Sequence, residues 1–261
     1  MTIRKAMVGY VESMVKKGLR EDGRDFLSYR NIRINTGKIP NAEGSAEVDL
    51  GYTKVLAGVK VGIGEPMKDK PDEGNLLTSA ELLPLASEEY DIGPPSPEAI
   101  ELARVVDRGI RAAGVIDTKS LFIEEGKVWE IFIDIYVLNY DGNLFDAGTI
   151  AASAALASAR MPKYEDEKVI REGNLGRLKT GNVVTSCTFA KLGSAVLLDP
   201  DGNEETAMDG RLTMANDENA VRAMQKGLSG SFSFGEIDKA IEMSFERSKD
   251  LRKIIKNSTG E

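Results

Sequence analysis

Val128-Trp129-Glu130-Ile131-Phe132-Ile133-Asp134-Ile135-Tyr136-Val137-Leu138, then Asp141-Gly142-Asn143, then an alanine-rich run over 148–160, is the stretch that decides the fold. β-Branched and aromatic side chains dominate its first part, as suits a well-covered strand. Asp-Gly-Asn is turn chemistry. The run that follows, stopped by Met161-Pro162, predicts a helix. Its most apolar portion, 149–159, is too short to cross a bilayer.

Outward from this unit, residues 1–18 predict a helix, with Ile3, Ala6, Met7, Tyr10, Val11, Met14 and Val15 at helical spacing and Gly18 ending it. Ile32 and Ile34 alternate with polar neighbours, Gly44-Ser45 opens a second strand over 46–50, and Gly51-Tyr52-Thr53 turns into a third over 55–61. These three form an antiparallel meander. Residues 62–95, rich in Gly, Pro, Asp and Glu, read mainly as loop. Ser96-Pro97 starts a helix, a hydroxyl cap followed by proline in the first turn. Its buried face is Ala99, Leu102, Ala103, Val106, Ile110 and Ala113. Downstream, 183–190 and 194–198 predict a hairpin, Asp201-Gly202 a turn, and 211–214 a further strand. Helices are expected over 218–227 and 236–255. Strands followed by helices, twice over, give two α+β halves, with the boundary inside 163–181.

Composition removes several chemistries. The 261 residues contain no histidine and a single cysteine, Cys187. No histidine-dependent nucleophile, imidazole base or histidine-ligated metal is available, and neither a disulfide within the chain nor a thiolate zinc cluster can form. The N-terminus lacks the apolar core of a secretion signal, so a cytoplasmic protein with no membrane association is expected. The net charge is −8, yet residues 1–38 carry +5 and the remainder −13. Such a balance disfavours a freestanding nucleic-acid binder and leaves room for local basic spots.

Two motifs fail on inspection. The stretch from Gly173-Asn174 to Thr180 places Leu178 where a phosphate loop needs glycine. Asp199-Pro200-Asp201-Gly202-Asn203 begins like a calcium loop, but Glu204 and Gly210 occupy its sixth and twelfth positions, so it reads as a turn. Asp134 is expected to face outward from its strand, and Cys187 to be a small core residue. Arg104, Arg108 and Arg111 share one side of the helix that starts at Pro97. Either Glu101 and Asp107 neutralise them, or they form a track for RNA phosphates, to which arginine's forked donors are suited. Spacing leaves both readings open.

Several segments resemble the RNase PH family. Leu19-Arg20-Glu21-Asp22-Gly23-Arg24 with Arg30-Asn31-Ile32 is similar to its opening signature. Gly44-Ser45-Ala46-Glu47-Val48 and the run from Gly51-Tyr52-Thr53 to Val59-Lys60 look like its first sheet. Val105-Val106-Asp107-Arg108-Gly109-Ile110-Arg111 is similar to its middle helix. Tyr136-Val137-Leu138-Asn139-Tyr140-Asp141-Gly142-Asn143-Leu144-Phe145-Asp146-Ala147 resembles the non-catalytic branch found in the archaeal RNA exosome.

The resemblance implies an α+β, RNase PH-like fold (ribosomal protein S5 domain 2-like), with two βαβα-type halves related by pseudo-symmetry. A helix and basic arm would occupy 1–30, the first half 31–165 and the second half 182–256. It further implies an alternating hetero-hexameric ring, three copies each of this chain and a catalytic RNase PH-like subunit, with S1- or KH-domain caps and single-stranded RNA as ligand. Catalytic members hold inorganic phosphate with a Gly-Gly-Thr/Ser-Arg-Thr/Ser-Ala turn and carry an Asp-Met-Pro-like segment that supplies carboxylates. Here Phe145 stands for that arginine, Asp146 is expected to repel phosphate, and residues 178–185 hold no carboxylate. The resemblance therefore implies no catalytic residue, no metal and no cofactor in this chain, inorganic phosphate being the co-substrate of its partner. Arg104, Arg108 and Arg111 are then its RNA-binding residues. Rival readings are an autonomous phosphorolytic 3'-5' exoribonuclease, a small-molecule kinase on the same fold, and a purely architectural ring subunit.

Overall fold

The computed structural model describes residues 2–173 and 175–260, so Asn174 of the failed phosphate loop and the side chain of Ile3 lie outside it. In chain order the elements are α1 (Thr2–Lys16), β1 (Ile32–Thr36), β2 (Gly44–Leu50), β3 (Thr53–Gly64), β4 (Asn75–Leu82), α2 (Pro97–Ala112), β5 (Phe122–Glu124), β6 (Lys127–Asn139) and α3 (Leu144–Ser158). There follow β7 (Lys163–Glu165), β8 (Lys168–Ile170), β9 (Thr185–Leu192), β10 (Ala195–Leu198), α4 (Gly202–Ala207), β11 (Gly210–Asn216), β12 (Val221–Gly227) and α5 (Phe234–Thr259). The first sheet runs β1-β2-β3-β6-β4, with β5 pairing β6, and the second runs β10-β9-β11-β12. The expected meander and both expected strands of the β9–β10 hairpin are present.

From Trp129 to Leu138 β6 alternates, its odd-numbered apolar residues buried and the even-numbered ones half-exposed, while Val128 before them is buried as well. Asp134 follows that pattern outward and accepts a hydrogen bond from Ser79 Oγ at 2.7 Å. The helix after it begins at Leu144, four residues before the expected start, and every residue from Leu144 to Ala157 is buried. A helix apolar all round has to be enclosed, and α3 packs against the first sheet, β9 of the second, α2 and α5. Small side chains permit the approach. A Cβ on Gly44 would lie 2.3 Å from the Ala155 carbonyl oxygen.

Three expectations about secondary structure are corrected. Residues 75–82, expected as loop, form β4, which pairs in parallel with β6 from Asn75 opposite Glu130 to Leu82 opposite Val137. A long central partner overrides weak local preference there. Residues 218–227 form no helix. Val221–Gly227 is a strand antiparallel to β11, because Asp217 closes the preceding turn by accepting from the Asn219 and Ala220 amides. Asp201 opens α4 instead of a simple turn, in a reciprocal capping box with Glu204. Within α2, Ala103 is half-exposed and Val105 joins the buried face in its place. In α1, Val11 and Val15 pack on Ala190, Leu192, Leu197 and Ala207, while Ala6 and Tyr10 face outward.

The junction of the halves is polar. Arg20 donates to both carboxylate oxygens of Glu204, at 2.8 and 2.5 Å, and to the Leu198 and Asp199 carbonyls. Asp199 is fully buried. It accepts from Arg24 Nη1 at 2.9 Å, from Arg30 Nη2 at 2.8 Å, from the Arg30 amide at 2.8 Å, and from Asn143 Nδ2 at 2.7 Å. Burial alone would raise the Asp199 carboxyl; the hydrogen bonds and charge of Arg30 outweigh it and hold it below its ordinary range. Asn143 caps α3 in the left-handed region (φ 55°), and its amide also reaches Asp146 at 2.8 Å. Asp146, fully buried, accepts further from Tyr29 Oη, the Thr188 amide and Thr188 Oγ1. Burial pushes its carboxyl up to about 7.

Two outcomes follow for stability. Asp199→Ala removes the buried anion shared by Arg24, Arg30 and Asn143, leaving Arg30 with Asp141 as its remaining acid, and is expected to cost about 3–5 kcal/mol in equilibrium denaturation; a loss below about 1 kcal/mol would mean the network is not structural. For Asp146, folding lifts the pKa from 3.8 to about 7, so the folded chain retains a proton that the unfolded chain releases. Its contribution to stability is therefore fullest below about pH 4, declines as the pH rises to about 7, and is level above that. The stability of the wild type relative to Asp146→Asn should decline across that window when denaturation midpoints are compared. A difference independent of pH contradicts the assignment.

Candidate nucleic-acid interface

α2 is anchored at its start by Ser96, whose hydroxyl accepts from the Ala99 amide, with Pro97 in the first turn. One face is buried through Leu102, Val105, Val106 and Ile110. Gly109 lets the helix lie close to the second sheet, since a Cβ there would sit 3.0 Å from the Ala215 Cβ. On the other side, Arg111 donates to the Leu76 carbonyl of β4. α2 thus bridges the two sheets.

Arg104, Arg108 and Arg111 are all exposed and line one groove of about 940 Å³ between α2 and β4. Apolar side chains, among them Leu77, Ile100 and Ala103, form much of the rest of its lining. The two carboxylates expected to neutralise this face do not reach all of it. Asp107 binds Arg111 Nε at 2.7 Å and accepts from Thr78 Oγ1 at 3.1 Å. Glu101 is taken by the second sheet, accepting from Arg211 Nη2 at 2.5 Å and Gln225 Nε2 at 3.2 Å. Among the described residues, Arg104 and Arg108 have no acidic partner. Like charges at this spacing repel by a few tenths of a kcal/mol in water, a penalty that an anionic ligand would relieve.

At the start of α3, Phe145 is buried beneath the Arg211 guanidinium, 4.2 Å from its ring centroid. A cation over an aromatic face is a favourable contact, and the ring fills the space with hydrocarbon. Asp146 points into the interior, its oxygens engaged by Asn143, Tyr29 and Thr188. That corrects the expectation that it faces a phosphate and repels it. Within 178–185, Leu178 and the side chains from Val183 to Thr185 are buried. Asn182 reaches Asp217 at 3.4 Å, but that carboxylate is occupied by Arg222 at 2.6 Å. Neither place presents a free acid, nor a cationic side chain at the Phe145 position.

Sequence reading located the arginine stripe and the Phe145 substitution. It missed Arg211, which lies 110 positions from Glu101 and carries no local motif. It also missed the burial of Asp199, whose only sign was its place beside a turn. Cys187 is buried, as expected of a small core residue. Among the described residues no helix is long and apolar enough to cross a membrane.

The chain was compared with known proteins. The model of the 3' exoribonuclease family, domain 1, matches residues 28–162, and that of domain 2 matches residues 182–247. The exosome complex component Rrp42 of Thermococcus gammatolerans is 47% identical over 254 residues, covering 95% of this chain and 93% of that protein. The component of the same name from Aeropyrum pernix is 44% identical, covering 94% and 92%. Among solved structures, an Archaeoglobus fulgidus exosome with RNA bound to the active site matches with a TM-score of 0.91 at 39% identity, over 97% of this chain and 99% of that one. An archaeal exosome core matches with a TM-score of 0.87 at 38% identity, covering 98% of both chains. Two sheets clasping an alanine-rich helix, both family models in order, and near-complete alignment to these relatives place the chain in the RNase PH (3' exoribonuclease) family.

Proposed function

We propose that this chain is a non-catalytic ring subunit of an archaeal RNA exosome. In this reading it alternates with a catalytic RNase PH-like subunit in a hetero-hexamer, beneath S1- or KH-domain caps, in the cytoplasm. It binds single-stranded RNA through Arg104, Arg108 and Arg111 while the partner performs 3'-to-5' phosphorolysis with inorganic phosphate. The observation that carries the proposal is the arginine face of α2, where Arg104 and Arg108 stand free on the rim of an open groove. Guanidinium forks on a rigid helix suit phosphate oxygens, and an acidic chain needs such a local site to hold RNA at all.

Catalytic silence rests on the α3 turn. Attack by phosphate requires the anion to be held and oriented. The place where catalytic relatives carry arginine is closed by Phe145 under Arg211, and no free carboxylate stands nearby to move a proton. Arg111, tied to Asp107 and Leu76, serves chiefly to seat the helix, which leaves Arg104 and Arg108 as the principal phosphate ligands.

Each single-strand phosphate contact contributes about 0.7 to the slope of log affinity against log salt, or about fivefold in affinity at about 0.1 M salt. Arg104→Ala/Arg108→Ala should therefore weaken RNA binding by the ring, reconstituted with its catalytic partner, by about 25-fold without dispersing it. Unchanged affinity would leave a purely architectural subunit. The isolated chain, incubated with phosphate and a 3'-tailed RNA, should release no nucleoside diphosphate, and release would identify an autonomous phosphorolytic nuclease.

A further inference from the structure

Glu101 lies three residues before Arg104 on the same face of α2, the spacing at which an acid and a base on a helix pair. They do not pair. The Glu101 carboxylate is drawn to the second sheet, where Arg211 on β11 and Gln225 on β12 both donate to it. Arg211 cannot easily leave this position. Its guanidinium is stacked on Phe145, its side chain is only 12% exposed, and its Nε is buried without a partner. Gln225 stands opposite Thr213 in the β11–β12 ladder, two residues along from Arg211, so one strand pair presents both donors.

We infer that Arg211, assisted by Gln225, is a positioning residue for RNA binding: it sequesters Glu101 and so keeps Arg104 unpaired at the rim of the groove. This rests on the reading of the arginine face as an RNA grip. Without Arg211, the nearest cation along the helix for Glu101 is Arg104, and a carboxylate seated there offsets the positive charge that Arg104 presents to a phosphate. The second half thereby controls how many arginines of the first half are available. The side chain that packs on Phe145, where catalytic relatives carry an arginine, becomes an indirect part of the binding surface.

The experiment uses the assembled ring, this chain with its catalytic partner, and labelled single-stranded RNA followed by anisotropy over a series of salt concentrations. Arg211→Met should weaken binding by about two- to threefold at about 0.1 M salt and flatten the salt slope by less than the roughly 0.7 of a whole phosphate contact, because an exposed helix pair is weak and RNA competes with it. Adding Glu101→Gln to that variant should return both the affinity and the slope to the wild-type values, because no acid remains to capture Arg104. Arg211→Lys, which keeps a cation for Glu101, should bind RNA like the wild type. Arg211→Met with wild-type affinity overturns the inference. So does a loss that Glu101→Gln fails to rescue, which would mark Arg211 as merely structural. If Arg211→Met does not assemble, Gln225→Glu at its half-exposed site sets a second acid against Glu101, and unchanged RNA affinity in that variant overturns the inference equally. Failure of Arg104→Ala/Arg108→Ala to weaken binding would instead remove the RNA grip itself.

Discussion

The Asp199 carboxylate is the constraint on which the rest of the molecule depends. Arg24 and Arg30 arrive from the N-terminal arm, Asn143 from the start of α3, and the aspartate itself from the end of β10, so one buried anion joins three distant parts of the chain. A buried charge is tolerated only when its lone pairs are occupied and an opposite charge is adjacent. Here both conditions hold, and Arg20 repeats the device on Glu204 one turn of chain away. The apolar sheets supply most of the driving force for folding. The polar junction determines how the second half sits against the first, and hence where α2 can lie between them.

Much of this fold was legible because its central pieces obey local rules. The β-branched and aromatic content of β6, the Asp-Gly-Asn turn and the alanine run of α3 each point to their own structure, and they are adjacent in sequence. β4 and β12 were not legible, for a shared reason. Both lie at the edge of a sheet and take their conformation from one long partner, β6 or β11, so the decisive contacts are non-local. Val221–Gly227 carries Arg, Ala, Met, Gln and Lys, residues content in a helix, and only pairing with β11 makes it a strand.

The site divides in the same way. A stripe of three arginines on one helix announces itself by spacing, and the exchange of an arginine for Phe145 shows once the family pattern is known. What the spacing left open was whether Glu101 and Asp107 cancel the stripe. The answer is that Asp107 pairs with Arg111 alone, while Arg211 and Gln225, on other elements, hold Glu101 away from the stripe. Asp146 shows the opposite case: an acid judged by its neighbours in sequence as facing a ligand is turned inward by donors from Tyr29 and Thr188.

The seating of α2 has an entropic consequence. With Gly109 packed close to Ala215 and Arg111 fastened to β4, the backbone beneath Arg104 and Arg108 is held from both sides before the proposed RNA ligand arrives. Capture then freezes only the rotamers of two long side chains, about 0.5–1.5 kcal/mol for each, and no main-chain freedom. Under the proposed role, a bound strand would therefore be held and released with little reorganisation of the protein.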